Sequence, residues 1–144
     1  MPKIIVLDNI AESGLSILEQ SADIEYVVQT DLTGAELQDA LADADGAICR
    51  SGVQITADAL QGNTRLRVIV RAGAGTDTID KAAATRQGIL VMNTPTGNTF
   101  STAEHTLTLL LALSRNVAPA FLSLQEGRWD RKKYIGSQLA NKVL

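Results

Sequence analysis

Along the chain, short unbroken apolar runs alternate with stretches in which apolar residues recur every three or four positions. That switch is the signature of strands buried on both faces with helices between them, and so of a parallel sheet. Lys3 to Asp8 predicts a first strand, and Ala11 to Gln20 a helix whose Leu15, Ile17 and Leu18 face the sheet. Ile24 to Val28 predicts the second strand. Thr33 opens a helix carrying Leu37, Ala40 and Leu41, with Glu36 placed three residues on to form a capping box. Gly46 to Arg50 predicts a third strand, Thr56 to Gln61 a short helix, and Arg67 to Ala72 a fourth strand. An Ala-rich helix over Ile79 to Gln87 stops at Gly88, where a glycine ends helices readily, and Ile89 to Asn93 predicts strand five.

Five β-α units with right-handed crossovers imply an α/β fold, a flavodoxin-like doubly wound five-stranded parallel sheet in the order 2-1-3-4-5. This pattern is complete by residue 98. Asn93-Thr-Pro-Thr-Gly-Asn98 then forms a turn, and a long helix begins near Ser101, with Ser101 and Glu104 as a second capping box. Leu107, Leu109, Leu110, Leu111 and Leu113 make this helix apolar over more than one face, which demands burial against more than its own sheet. From Pro119 the chain is expected to turn irregular and basic. Asn141 to Leu144 resembles the opening of a further strand, either a frayed tail or a chain cut before its next domain.

The 144 residues suffice for one domain and part of another, and 45% hydrophobic with 20% charged residues is the make-up of a chain with a real core. Only 3% are aromatic, so platforms for stacking bases or flavins are scarce. A net charge of −3 argues against a nucleic-acid binder. The single cysteine, Cys49, lies in an apolar run and fits a reducing, cytoplasmic setting. Ile4 to Leu7 is too short for a signal-peptide core, and no segment approaches the roughly 18 apolar residues of a membrane span.

Candidate chemistry gathers at the carboxyl ends of the strands, where open parallel sheets bind ligands. Arg50 and Ser51 end strand three, Arg71 ends strand four, and Asn93 to Asn98 follows strand five. Two arginines on one rim suit a small carboxylate or phosphate, although either alone would ordinarily be a solvated surface group. Ala72-Gly-Ala-Gly-Thr-Asp77 sits between a strand and a helix, either as a turn the backbone geometry requires or as a donor of N–H groups to an anion. It misses the dinucleotide fingerprint, because Thr78 stands at the third glycine position and no acidic residue follows about 20 residues on. The lone histidine, His105, has no partner at metal-ligand spacing. The run Arg128 to Lys133 around Trp129 is a solvated surface or an arm that contacts a partner.

Arg71-Ala-Gly-Ala-Gly-Thr-Asp-Thr-Ile-Asp80, Ala84-Thr-Arg-Gln-Gly-Ile-Leu-Val-Met-Asn-Thr-Pro-Thr-Gly-Asn98, Ser101-Thr-Ala-Glu104 and Gly127-Arg-Trp-Asp-Arg-Lys-Lys133 closely resemble the D-isomer-specific 2-hydroxyacid dehydrogenase family, from end to end of the chain. The resemblance implies that residues 1–98 form a substrate-binding domain, and that 99–144 hold a crossover helix and dimerisation arm at the start of an NAD-binding domain. It implies that the backbone of Ala74 and Gly75 holds a substrate carboxylate, with Arg50, Ser51, Arg71 and Asn98 lining the cleft and Gly73 also among the substrate-binding residues. Ala74 would also lie near the cofactor, where the family often has threonine. Trp129 and Arg131 would belong to a dimer arm, and a homodimer would form through 99–144. The substrate would be a small anionic 2-hydroxy acid resembling 3-phosphoglycerate. The family's NAD loop and its catalytic arginine, glutamate and histidine would lie beyond Leu144. The chain alone is therefore expected to bind no cofactor and to be inactive, with NAD bound by the intact enzyme. The alternative is a freestanding flavodoxin-like module, a flavin carrier or a phosphoacceptor receiver. The places where a receiver needs an aspartate and a lysine hold Cys49-Arg50 and Asn93-Thr94.

Overall fold

A computed structural model describes residues 1–143. The order of elements is β1 (Lys3–Val6), α1 (Glu12–Glu19), β2 (Glu25–Val28), α2 (Gly34–Ala42), β3 (Gly46–Cys49), α3 (Ala57–Leu60), β4 (Val68–Arg71), α4 (Lys81–Arg86), β5 (Leu90–Asn93), α5 (Thr99–Ser114) and α6 (Val117–Gln125). The strands form one parallel sheet in the order β2-β1-β3-β4-β5. The predicted topology is therefore the observed one. Chain contacts divide the molecule into two compact units, Met1–Gly97 and Asn98–Leu144.

In the first unit the period of two along each strand sorts side chains onto two faces. Ile5 and Leu7, Ala47 and Cys49, and Ile69 lie on one face and join Leu37, Leu41, Leu60, Ala83 and Ala84 in a single buried cluster. Fully burying a Leu or Ile side chain contributes about 1.5–3 kcal/mol, so this face holds the sheet together. Gly46 lets the opposite face close, because a Cβ there would overlap the Ile4 and Val68 side chains. That face is less covered than the sequence pattern suggests, with Leu90 and Met92 of β5 exposed.

Local signals mark the ends of the elements unevenly. Gly88 adopts φ 71° after α4, and the bonds Gly88 N–H to Thr85 O and Ile89 N–H to Ala84 O close a Schellman stop, as expected. The capping box at α2 does not form: Thr33 occupies the N-cap position, but its side chain makes no capping bond. In α1 no residue is buried, and Ile17 is exposed rather than sheet-facing. Two residues on from Leu15, Ile17 is turned roughly 200° around the helix, away from the half-buried face that Leu15 and Leu18 share.

The second unit corrects three expectations. α5 begins at Thr99 with Asn98 as N-cap, so Ser101 falls inside the first turn and caps nothing. The chain after Pro119 is helical, not irregular: Pro119 lies in the first turn of α6, where its missing N–H removes no helical bond. No residue of α5 is buried, although its composition demanded burial. α5 and α6 meet at 63° around Asn116, in the left-handed conformation at φ 51°. The tail returns to this bend through Ser137 N–H to Ser114 O and Asn116 Nδ2 to Ile135 O. Residues 141–143 form no strand, since a turn at Ala140–Asn141 intervenes, and Leu144 lies outside the described residues.

Candidate functional site

Strand register assembles the site. Cys49 pairs with Arg71 and Arg71 with Asn93, so the last residues of β3, β4 and β5 stand in one row across the carboxyl edge of the sheet. Every chain segment leaving this row is therefore close to the others. Arg50 and Ser51 leave β3, Ala72 to Gly75 leave β4, and Thr94 leaves β5; the Thr94 N–H donates to Gly73 O at 3.1 Å.

Side chains from the strand ends brace these segments. The Arg71 guanidinium donates through Nε to Arg50 O at 3.2 Å and through Nη1 to Gly75 O, tying the β3 exit to the glycine turn. Asn93 Nδ2 donates to Ala74 O at 2.6 Å. At the β1 exit, Asp8 accepts the Arg50 N–H at 2.6 Å on Oδ2 and the Gly52 N–H at 3.1 Å on Oδ1. Among the described residues, the N–H groups of Ser51, Ala74 and Gly75 have no acceptor in the chain, and all three residues are exposed. The arrangement leaves free backbone donors beside the Arg50, Gly73, Ala74 and Gly75 carbonyls that are already engaged, a setting suited to an oxyanion.

The glycines of the turn have a reason that periodicity could not reveal. Neither Gly73 nor Gly75 has positive φ, so a tight-turn requirement does not explain them. A Cβ at Gly73 or Gly75 would instead stand 3.4 or 3.2 Å from Arg71 Nη1, and at Gly75 also 3.3 Å from the Asp77 carboxylate. Gly75 in particular leaves the guanidinium room to lie against the turn. Arg71 thus reaches the rim chiefly as a brace. Asp8, which takes the Arg50 N–H, and Asp77, beside Gly75, bring negative charge to the same rim, so the rim is not uniformly basic.

Cys49, behind the rim, has its thiol pushed up to about 11, first by burial and then by the Asp8 charge; it stays protonated at neutral pH and is no nucleophile. Among the described residues no group of three His, Cys, Asp or Glu side chains is placed to hold a metal ion. The glycine turn does not fit a dinucleotide either: Arg71 fills the space beside it, Thr78 stands in place of the third glycine, and α4 begins only at Lys81. A groove of about 530 Å³ between α2 and α3, lined by Leu32, Gln38, Val53 and Asp58, has no basic lining group to attract an anion.

Asn98, Trp129 and Arg131 belong to the second unit. Asn98 is the N-cap of α5, Trp129 is 72% exposed, and Arg131 is exposed. His105 is exposed on α5. Among the described residues no single helix is long and apolar enough to cross a membrane; α5 and α6 would pass only as a pair, and they are bent at Asn116. Sequence reasoning missed Asp8. A lone acidic residue after a first strand carries no periodic signal, and its role appears only once β1 and β3 are adjacent.

The family model for the catalytic domain of D-isomer specific 2-hydroxyacid dehydrogenases matches residues 4–139. The chain belongs to this family. It is 42% identical over its whole length to the D-3-phosphoglycerate dehydrogenase of Synechocystis sp. and 44% identical to that of Methanocaldococcus jannaschii, covering 26% and 27% of those proteins. It therefore spans about a quarter of the length of the curated relatives it matches. Among solved structures, the NAD+-bound 3-phosphoglycerate dehydrogenase of Entamoeba histolytica superposes with a TM-score of 0.69 at 33% identity, over 79% of this chain and 39% of that one. The five-stranded parallel sheet in the order 2-1-3-4-5 is thus that of the 2-hydroxyacid dehydrogenases.

Proposed function

We propose that the first unit is the substrate-binding portion of an NAD-dependent 2-hydroxyacid dehydrogenase, and that it holds a small anionic 2-hydroxy acid of the 3-phosphoglycerate type. The observation that carries this reading is the set of unpaired N–H groups at Ser51, Ala74 and Gly75, held on one rim by Asp8, Arg71 and Asn93. The substrate carboxylate would accept from Ala74 and Gly75, and Arg50 would offer its planar fork to a second anionic group. The similarity to phosphoglycerate dehydrogenases supports the substrate class.

Hydride transfer requires a nicotinamide held against the substrate carbon, and the glycine turn of this chain does not cradle a dinucleotide. The reading is therefore substrate binding without turnover by residues 1–144 alone, NAD being the cofactor of the intact enzyme. An NMR titration with 3-phosphoglycerate at low salt tests it. Localised shifts at Arg50, Ser51 and Gly73 to Gly75 that weaken in Arg71→Ala are expected, with no NADH formed from NAD. A dispersed spectrum without shifts, or NADH above a mock-purified control, would overturn it.

We also infer that the second unit pairs with a second copy. Leu107, Leu109, Leu113, Phe121 and Leu124 are all more than half exposed on α5 and α6, more apolar surface than a unit of this size ordinarily leaves in water. Trp129 and Arg131 would then act as contact residues of that arm.

A further inference from the structure

The rim has a support that neither the family resemblance nor the comparisons assign. We propose that Asp8 is a positioning residue: its carboxylate clamps the turn Arg50–Gly52 and thereby aims the Ser51 N–H and the Arg50 side chain at the anion. This proposal rests on the reading of the rim as an anion site.

In a sheet of order 2-1-3-4-5 the crevice at the switch between β1 and β3 is the natural place for a ligand. Here Asp8 lines that crevice, a cavity of about 210 Å³ that Leu7, Asn9, Thr30, Asp31 and Gly52 also line. β1 is extended by Leu7 N–H to Ile48 O at 2.8 Å, which carries Asp8 alongside the exit of β3. Its two oxygens then take the N–H groups of Arg50 and Gly52, one each, at 2.6 and 3.1 Å. Of three successive amides, the outer two are spent on Asp8 and the middle one, Ser51, is left unpaired and exposed. From the other side Arg71 Nε holds Arg50 O at 3.2 Å, so both backbone groups of Arg50 are gripped by side chains of opposite charge. A turn held this way cannot swing its donors away from the rim without breaking charge-assisted bonds.

Gly52 provides an independent handle on the same contact. A Cβ there would overlap the Asp8 carboxylate, so Gly52→Ala displaces the clamp while leaving Asp8 in place. The position has no positive φ, so the effect is steric and not conformational.

The test uses the full chain with amide hydrogen exchange and 3-phosphoglycerate titration on the parent, Asp8→Ala, Asp8→Asn and Gly52→Ala. Removing the acceptor should speed exchange at Arg50 and Gly52 by about tenfold or more, while Ile48 and Val70 keep their protection. Affinity for 3-phosphoglycerate should fall by about tenfold in Asp8→Ala and Gly52→Ala. Asp8→Asn keeps one acceptor oxygen and should lie between the parent and Asp8→Ala in both readouts. Unchanged exchange at Arg50 and Gly52 would overturn the clamp. Faster exchange with unchanged affinity would overturn the positioning role. A parent chain that does not bind would overturn the reading of the rim and the ligand half of this proposal, and the exchange data would still decide whether Asp8 holds the turn.

Discussion

At the amino edge of the sheet, opposite the rim, four charged residues form a network: Lys3 with Asp43, and Arg65 with Asp43 at 3.1 Å and with Asp45 at 3.0 Å. Asp45 is held down to about 2, first by the Arg65 hydrogen bond and next by the Lys3 backbone N–H. Asp43 is lowered chiefly by Lys3. A depressed carboxyl contributes stability that is complete above its ordinary value of 3.8 and is lost as pH falls through the folded value of about 2. The melting temperature should therefore drop between pH 4 and pH 2 more steeply in the parent than in Arg65→Ala, with the difference shrinking at high salt. Parallel pH profiles for the two proteins would show the network to be energetically idle. At this scale the sequence was partly legible. Arg50, Ser51 and the glycine turn could be placed on one rim from strand ends alone, but Asp8 and the Arg71 brace depend on side chains crossing between neighbouring strands.

At the scale of elements, the bend between α5 and α6 depends on one residue. Asn116 sits at φ 51°, a region that costs a residue with a Cβ roughly 1–2 kcal/mol unless it is Asn, Asp or Gly, and its side chain bonds Ile135 O at 3.2 Å. Asn116→Ala should destabilise by about 1–2 kcal/mol, and Asn116→Gly by less, since glycine keeps the φ and loses only the side-chain bond. Equal losses in urea unfolding would assign the cost to the bond instead of the backbone. Gly136 completes the corner, since a Cβ there would overlap the Ser114 carbonyl. None of this was visible in the pattern. Asn116 was not distinguished from any turn residue, and Pro119 suggested an ending where the chain in fact begins a helix. Strands and their connecting helices were legible because each buried run is bounded by glycine or polar residues. Capping boxes were not: Thr33 stands at the N-cap in extended backbone yet its side chain makes no capping bond, and Ser101 falls inside the first turn of α5.

For the whole molecule, the topology followed from counting alternations of period, whereas coverage did not. Apolar composition predicted that α5 would be buried, and the structure leaves Phe100, Leu107, Leu109, Leu111 and Leu113 exposed, with Leu110 and Ala112 half-buried. Sedimentation velocity on the purified chain should give a species of twice 15.3 kDa, returning to a single copy in Leu113→Asp with Phe121→Asp. A parent chain that stays single as concentration is raised would reject pairing.

The row Cys49–Arg71–Asn93 sets a rule for how this protein tolerates change. Because adjacent positions of a strand point to opposite faces, inserting one residue within β4 would carry Arg71 through the sheet to the other side and dismantle the brace while preserving every apolar run. Insertions in the connections at the opposite edge leave the row intact. Lengthening is thus tolerated at one end of the strands and forbidden within them, and drift in loop length among relatives should be concentrated away from the edge that carries the row.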